Sequence, residues 1–263
     1  MHKILHILQI KKSELKPSVI LFLHSFFLVS VIIASKTVRD SFFLSRFDKS
    51  LLPFMYILTA LIMWKGIGYI QKVLKGKSLL HQNFILHSSF IIGTILFVFF
   101  NEGVFVPILY LWVEIVTALM GMKFWELATN TFNSRQGKRL FGLITAGGSL
   151  SGVVTGMSIP TLISYGSDSL IIFSSVGILM CMVLIYSLKG YIKSSSKGFR
   201  PEIKIPRFRL SKMEPFIRHI FFIVILLASL STFVDYQFKI EIGNQFSTEL
   251  QIMTFFGKFY MIT

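Results

Sequence analysis

Apolar runs of about the length that crosses a lipid bilayer recur along almost the whole chain. A bilayer core of about 30 Å requires roughly 20 residues of α-helix, since each residue adds about 1.5 Å. Six runs approach or reach this length, a seventh follows, and an eighth begins near the end of the chain: 18–35, 51–70, 84–100, 104–122, 141–165, 169–188, 216–234 and 252–263. We therefore predict an all-α polytopic membrane protein, in which no β-strand is needed.

The balance of apolar and charged residues supports this class and excludes two others. Apolar residues make up 53% of the chain and include 28 Phe, more than the core of one soluble domain can bury. The net charge is +15, yet Lys and Arg lie between the apolar runs rather than on polar, exposed faces. We expect the lipid bilayer to be a partner of this chain, and we expect no nucleic acid.

The positions of Lys and Arg also predict how the spans are oriented. If the N-terminus is cytoplasmic, 21 of the 27 Lys and Arg residues fall on the cytoplasmic side and 6 on the other. Such an imbalance is typical of a multi-pass protein that obeys the positive-inside rule. We therefore expect an integral membrane protein with a cytoplasmic N-terminus.

One long hydrophilic stretch, 189–215, divides the apolar runs into two groups. It is rich in Pro, Ser and basic residues, as is typical of a cytoplasmic linker near anionic lipid. We predict a cytoplasmic amphipathic segment at 1–17, a six-helix N-terminal half at 18–188 and the beginning of a C-terminal half at 216–263. Six helices, a basic loop and further helices are the plan of a major-facilitator-like transporter.

Motifs for hydrolytic or metal chemistry are missing from the sequence. It contains neither HExxH nor GxSxG, and its six histidines do not cluster with acidic residues at ligand spacing. The lone cysteine, Cys181, lies in an apolar run, so we expect neither a disulfide framework nor a Cys-based zinc site within one chain. His24 and His87 lie inside the first and third runs, where we favour core histidines over a proton relay. The sequence predicts no enzyme, no metal and no cofactor.

Charged residues in or beside the apolar runs indicate a functional site, because a charge inside a bilayer is costly and usually faces a cavity or a partner. Glu114 lies near the middle of the fourth run. It either lines a cavity or is a structural carboxylate paired with a neighbouring helix. Lys36, Arg39 and Asp40 follow the first run, where they either turn into a central cavity or extend to the interface.

A second set of polar residues lies at the end of the fourth run. Lys123, Glu126, Asn130 and Asn133 share one helical face, which allows a Lys123–Glu126 pair and a polar ladder leading inward. An ordinary helix end at the cytoplasmic interface is an equally good interpretation. The charged segment 235–239, at the end of the seventh run, is either a further part of the site or an interface anchor.

The fifth run contains glycines at intervals of four residues: Gly148, Gly152 and Gly156. Small residues at this spacing lie on one face of a helix and let two backbones approach closely. We predict that this face packs against another helix.

Short motifs spread along the chain from residue 18 onward occur together in one transporter family. They are VRDSFFL at 38–44, Glu114, FW at 124–125, Asn130, KRLFGL at 138–143 and VDYQFK at 234–239. Together they resemble the ATP/ADP translocase family, the bacterial and plastid-type nucleotide exchangers related to the major facilitator superfamily. The resemblance implies an antiporter that exchanges one nucleotide for another, in a bacterial inner membrane. The positions that match the functional charges of that family are Arg39, Asp40 and Glu114.

The predicted substrate-binding residues combine these matches with the polar stripe of the fourth run: Lys36, Arg39, Asp40, Glu114, Lys123, Glu126 and Asn130. A nucleotide di- or triphosphate carries about three to four negative charges, so its site should present Arg or Lys. We expect Arg39 and Lys36 to contact phosphate. Glu114 would hold a cation in the empty site or carry a coupling proton.

Two other functions fit the same pattern of spans. One is a major-facilitator-type carrier of another organic solute, and the other is a membrane sensor or scaffold that keeps the fold without transporting. In a carrier of this type the substrate lies between two six-helix halves. We therefore expect residues 1–263 to require a missing C-terminal half before they transport.

Overall fold

The computed structural model describes residues 11–100, 102–166, 168–192 and 214–262, and these residues contain α-helices and no β-strand. The amphipathic segment predicted at 1–17 lies partly, and the linker predicted at 189–215 mostly, outside the described residues. A short 3-10 helix, Lys49–Leu51, follows the first α-helix. The α-helices are α1 (Lys12–Arg46), α2 (Leu52–Leu74), α3 (Leu79–Phe99), α4 (Phe105–Thr131), α5 (Ser134–Ile163), α6 (Asp168–Ser187), α7 (Pro215–Gln245) and α8 (Glu249–Ile262).

Seven of the described helices, α1 to α7, are long and apolar enough to cross a membrane. Each contains one of the predicted apolar runs or most of it. With 14 residues, α8 falls short of the length that a bilayer requires. The described residues therefore have the architecture of a helical membrane protein.

Two helices continue well past the apolar runs from which they were predicted. The first run ends at residue 35, but α1 continues to Arg46 and places Lys36, Arg39 and Asp40 inside a continuous helix. The fourth run ends at residue 122, but α4 continues to Thr131. The charges of both segments are therefore held by regular backbone, which fixes the directions in which they point.

The predicted polar stripe of α4 requires one correction. Asn133 does not lie on that helix, because it is the N-cap of α5. Its side-chain oxygen accepts a hydrogen bond of 2.9 Å from the backbone N–H of Gln136. The side chain of Gln136 in turn accepts from the backbone N–H of Asn133 at 2.9 Å. This reciprocal pair is a capping box, which explains why α5 begins at Ser134 rather than at the apolar run.

Helix α1 forms the centre of the bundle, where it packs against α4, α5, α6 and α8. One core cluster includes apolar residues of α1 between Ile33 and Leu44, and a second includes those between Ile20 and Val31. The hydroxyl groups of Ser30 in α1 and Ser151 in α5 lie 2.8 Å apart and share a hydrogen bond. Side chains of α1 are thus positioned at two levels of the core.

Two glycines of α5 allow other helices to approach its backbone: Gly156, which belongs to the predicted set, and Gly147, which does not. A methyl group added at Gly147 would overlap the backbone carbonyl of Phe22 in α1. A methyl group added at Gly156 would lie 2.5 Å from the backbone nitrogen of Met261 and 2.7 Å from the carbonyl oxygen of Gly257, both in α8. The small-residue face of α5 is therefore a site of close helix packing.

We expect Gly156→Ala to destabilise the bundle by about 1–3 kcal/mol, because the new methyl group meets rigid backbone atoms of α8. Gly142→Ala is the matched control, since nothing lies within 4 Å of a methyl group added there in the same helix. That control should be neutral or slightly stabilising, because Ala favours helix over Gly by up to about 1 kcal/mol. Thermal unfolding in detergent, followed by circular dichroism, measures both. If Gly156→Ala keeps the parental Tm, α5 and α8 are not in close contact.

Helix α7 differs from the others in how little of its surface is covered. Large apolar side chains between Phe216 and Val234 are mostly exposed. The buried residues of α7 are Lys239 and Ile242, both near its C-terminal end. This helix therefore meets the bundle through one short segment, and that segment carries a buried cation.

Candidate functional site

Arg39 of α1 is a deeply buried cation with partners on several sides. Its side chain is 3% exposed, and its Nη2 and Nε atoms donate to Oδ1 of Asp40 at 2.7 and 2.9 Å. Its Nη1 atom donates to Oε2 of Glu114 in α4. The guanidinium group also lies over the ring of Tyr110, 4.2 Å from the ring centre. These contacts fix the orientation of the planar guanidinium group.

Glu114 is shared between two cations of α1. Besides Arg39, it accepts a hydrogen bond of 3.2 Å at Oε1 from Nζ of Lys36. The side chains of Lys36 and Glu114 are 31% and 32% exposed. The sequence left two roles open for Glu114, a cavity wall or a structural carboxylate. In the structure Glu114 is paired with a neighbouring helix and is also accessible from outside the core.

Asp40 connects this arrangement to α7. Its Oδ2 atom lies 3.3 Å from Nζ of Lys239, and the same Nζ lies 2.9 Å from Oδ2 of Asp235. The hydroxyl group of Tyr56 in α2 donates to Asp235 at 2.7 Å. Spacing in the sequence does not relate segment 235–239 to residues so far away in α1. In the structure, the Asp40–Lys239 pair joins this segment to α1.

We call the six charged residues of this arrangement the ion-pair network: Lys36, Arg39, Asp40, Glu114, Asp235 and Lys239. It contains three cations and three carboxylates, so its formal charge is zero. Taking a charge out of water is expensive, and a buried ion pair recovers that cost only when its geometry is good. Loss of any member therefore leaves an opposite charge short of a partner.

Lys123, Glu126 and Asn130 form a separate group on α4. Lys123 Nζ lies 2.6 Å from Glu126 Oε2, which confirms the predicted pair, and 2.6 Å from Gln82 Oε1 in α3. The amide of Asn130 donates to the backbone carbonyl of Glu126 at 2.7 Å. Nine residues of helix, about 13 Å, separate Lys123 from Glu114. The structure thus divides the predicted site residues into the ion-pair network and a second group that ties α4 to α3.

Further polar contacts connect the end of α1 with α7 and α8. Arg46 Nε donates to Glu249 Oε1 at 2.5 Å. Lys49, in the 3-10 helix that follows α1, donates to Asn244 Oδ1 at 2.9 Å. With Asp40 and Lys239, these contacts place several polar links between the first helix of the bundle and the segment that follows the linker.

A groove of about 490 Å³ lies between α3 and α4, away from these charges. Apolar side chains line it, among them Phe97, Leu109 and Trp112, and no member of the ion-pair network does. Such a lining suits hydrocarbon rather than a charged ligand. The groove therefore does not suit an anionic ligand.

The ion-pair network can hold an anion only by exchange, because its charges already balance. Arg39 and Lys36 offer guanidinium and ammonium donors, and Glu114 is the partly exposed carboxylate that occupies them. Protonation or displacement of Glu114 would free Lys36 and the Nη1 atom of Arg39, while Nε and Nη2 of Arg39 stay on Asp40. These properties come from the chemistry of the site alone, since no protein-family model, curated protein or solved structure matches the chain.

Proposed function

We propose that this chain works in a major-facilitator-type antiporter that exchanges nucleotides of the ATP/ADP kind. The observation that carries the proposal is the sharing of Glu114 by Arg39 and Lys36, with about a third of the Lys36 and Glu114 side chains exposed. The proposal keeps the N-terminus in the cytoplasm and the protein in a bacterial inner membrane.

In this proposal the phosphates of the substrate compete with Glu114 for two cations. Arg39 offers its Nη1 atom, held in place because Nε and Nη2 bind Asp40, and Lys36 adds an ammonium group. When the substrate leaves, Glu114 returns to both cations. The ion pairs of Glu114 then hold α1 and α4 together, so the carrier changes its conformation readily only after a nucleotide has displaced Glu114. Such a site favours exchange over one-way transport.

The links between α1 and α7 suit a closed state of the same carrier. A facilitator-type transporter works by rocking one half against the other around a central site. The Asp40–Lys239 pair and the Arg46–Glu249 pair join α1 to the segment after the linker. Movement of α1 away from α7 and α8 would break both pairs. Asp40 binds both Arg39 and Lys239. Phosphate binding at Arg39 and breakage of the Lys239 pair would therefore both change the contacts of this one carboxylate.

The exposed face of α7 is the surface on which further helices of a carrier would pack. Its large apolar side chains between Phe216 and Val234 are mostly exposed in the described residues. In a carrier with two halves, part of this surface would face lipid and part would face the helices of the second half. The Lys123–Glu126 pair lies outside the phosphate site in this proposal and ties α4 to α3.

The test is uptake of labelled nucleotide by bacterial cells that express the protein. Cells should accumulate labelled ATP or ADP, and an excess of unlabelled nucleotide outside should compete, because both occupy one site. Vesicles preloaded with label should release it when nucleotide is added outside. Uptake that no nucleotide affects would contradict the proposal. If other organic anions compete and nucleotides do not, the protein carries another solute.

A further inference from the structure

Three side chains that can bind a metal meet inside the second core cluster, apart from the ion-pair network. They are His24 of α1, His87 of α3 and Cys181 of α6, and their ligand atoms all lie within 4.8 Å of one another. His24 and Cys181 are fully buried, and His87 is 1% exposed. Because the three residues come from distant parts of the sequence, their spacing gave no sign of a common site.

The two imidazole rings have nitrogen atoms without hydrogen-bond partners. These atoms are Nδ1 and Nε2 of His24 and Nε2 of His87. A buried polar atom left without a partner costs about 1–3 kcal/mol, so such atoms are rare in folded proteins. Three of them beside one thiol indicate that something else satisfies them. A metal ion coordinated by one nitrogen of each imidazole would satisfy two of the three.

The hydrogen bonding of His87 prepares one nitrogen as a ligand. Its Nδ1 atom lies 2.8 Å from the backbone carbonyl oxygen of Asn83. A carbonyl oxygen only accepts, so Nδ1 must carry the hydrogen and Nε2 keeps its lone pair in the neutral ring. Metal-binding histidines commonly have this second-shell arrangement, in which one nitrogen donates to a carbonyl and the other binds the metal.

We propose that His24, His87 and Cys181 bind one copper(I) ion. A thiolate selects soft ions such as copper(I), and imidazole also binds copper. Charge favours copper(I) over zinc, since one thiolate neutralises Cu⁺ but leaves a net positive charge beside Zn²⁺. A net charge is costly in the interior of a membrane protein.

The geometry requires a small closure of the cluster. Metal–nitrogen and metal–sulfur bonds of about 2.0–2.3 Å place three ligand atoms about 3.5–4.0 Å apart. The ligand atoms now lie up to 4.8 Å apart. Side-chain rotations that move each ligand atom by about 1 Å would bring them into that range. On binding, the S–H bond of Cys181 breaks, a Cu–S bond forms, and the proton leaves to the solvent. Copper stays in the +1 state throughout.

The ion would have a structural role. Its ligands come from α1, α3 and α6, and all three are buried, so the ion would enter while the helices assemble. It would then crosslink three helices at one level of the core. A site of two histidines and one cysteine would thus stand where the sequence predicts no metal, and it is independent of nucleotide exchange.

The experiment measures copper(I) retained by the purified protein in detergent under reducing conditions, against a chromophoric copper(I) chelator. We expect one copper ion per chain, with one sulfur and two nitrogen neighbours in X-ray absorption spectra. Cys181→Ser and His87→Gln should each lower the affinity by more than about 100-fold, since losing a second-shell partner alone costs up to that much. His219→Gln is the control, because His219 lies on the exposed surface of α7.

Several results would overturn the proposal. One is loss of copper from the parent protein to the chelator at equal concentration. Another is an X-ray absorption spectrum of the parent protein without a sulfur neighbour, which is informative even if a variant fails to fold. Retention of Zn²⁺ in place of Cu⁺ would refute the charge argument. Unchanged affinity in Cys181→Ser or His87→Gln, with circular dichroism showing intact helices, would place the copper elsewhere.

Discussion

Replacing Arg39 with lysine is expected to reduce nucleotide exchange by about 100-fold while the protein still inserts in the membrane. The charge is kept, but an ammonium group cannot reproduce the planar arrangement in which Nε and Nη2 bind Asp40 while Nη1 is presented to phosphate. A charge-assisted hydrogen bond contributes about 1.5–3 kcal/mol, and each 1.4 kcal/mol is about tenfold in affinity. Exchange of labelled ATP in vesicles, corrected for the amount of inserted protein, measures the effect. Arg218→Lys is the control, because Arg218 is exposed on α7.

Glu114→Gln in the same assay separates phosphate binding from closure of the empty site. The amide has nearly the same volume but cannot neutralise Arg39 and Lys36, so nucleotide should still bind. Vesicles with this variant should lose strict exchange, either by leaking preloaded label without external nucleotide or by trapping the substrate. If Arg39→Lys and Glu114→Gln both exchange like the parent protein, these residues are structural and the phosphate site lies elsewhere.

The helices were predictable from the sequence because apolar length is a local property. A run of about 20 apolar residues forms a helix in a bilayer whatever surrounds it, since backbone groups there must bond within the segment. The ends were less predictable. Charged residues at 36–40 end an apolar run, but they do not end α1, because Arg39 and Asp40 are satisfied by partners on other helices. At Asn133 the deciding contact is local, and the capping box was recognisable in principle.

The candidate site was predictable residue by residue but not as an arrangement. Arg39, Asp40 and Glu114 were identified because charges are rare inside apolar segments and need a reason to be there. That Glu114 faces α1, and that Lys239 reaches Asp40, depends on how the helices rotate about their axes when they pack. The same limit applies to His24, His87 and Cys181. Each looks like an isolated core residue, and only packing places the three together.

Neutralising Lys239 is expected to cost about 3 kcal/mol of stability, and a change at Asp40 should cost less in that variant than in the parent protein. Lys239 is 5% exposed and lies 3.3 Å from Asp40 and 2.9 Å from Asp235. Lys239→Met keeps the length of the side chain but leaves the network with one carboxylate in excess. Breaking a buried pair by removing one partner typically costs about 3–5 kcal/mol, and the remaining contact of Asp40 with Arg39 places this case at the lower end.

The double variant Asp40→Asn with Lys239→Met restores the balance of charges, so its loss should be smaller than the sum of the two single losses. Thermal unfolding of all four proteins in one detergent gives the coupling energy between Asp40 and Lys239 directly. Lys258→Met serves as the control, since Lys258 is exposed on α8 and lies outside the network.

A coupling energy near zero would mean that the Asp40–Lys239 pair does not hold α7 to α1. The closed state proposed for the carrier would then lose its main link. A clear coupling energy, together with faster exchange of bound nucleotide in the double variant, would show that the pair holds the two segments together and that opening requires it to break.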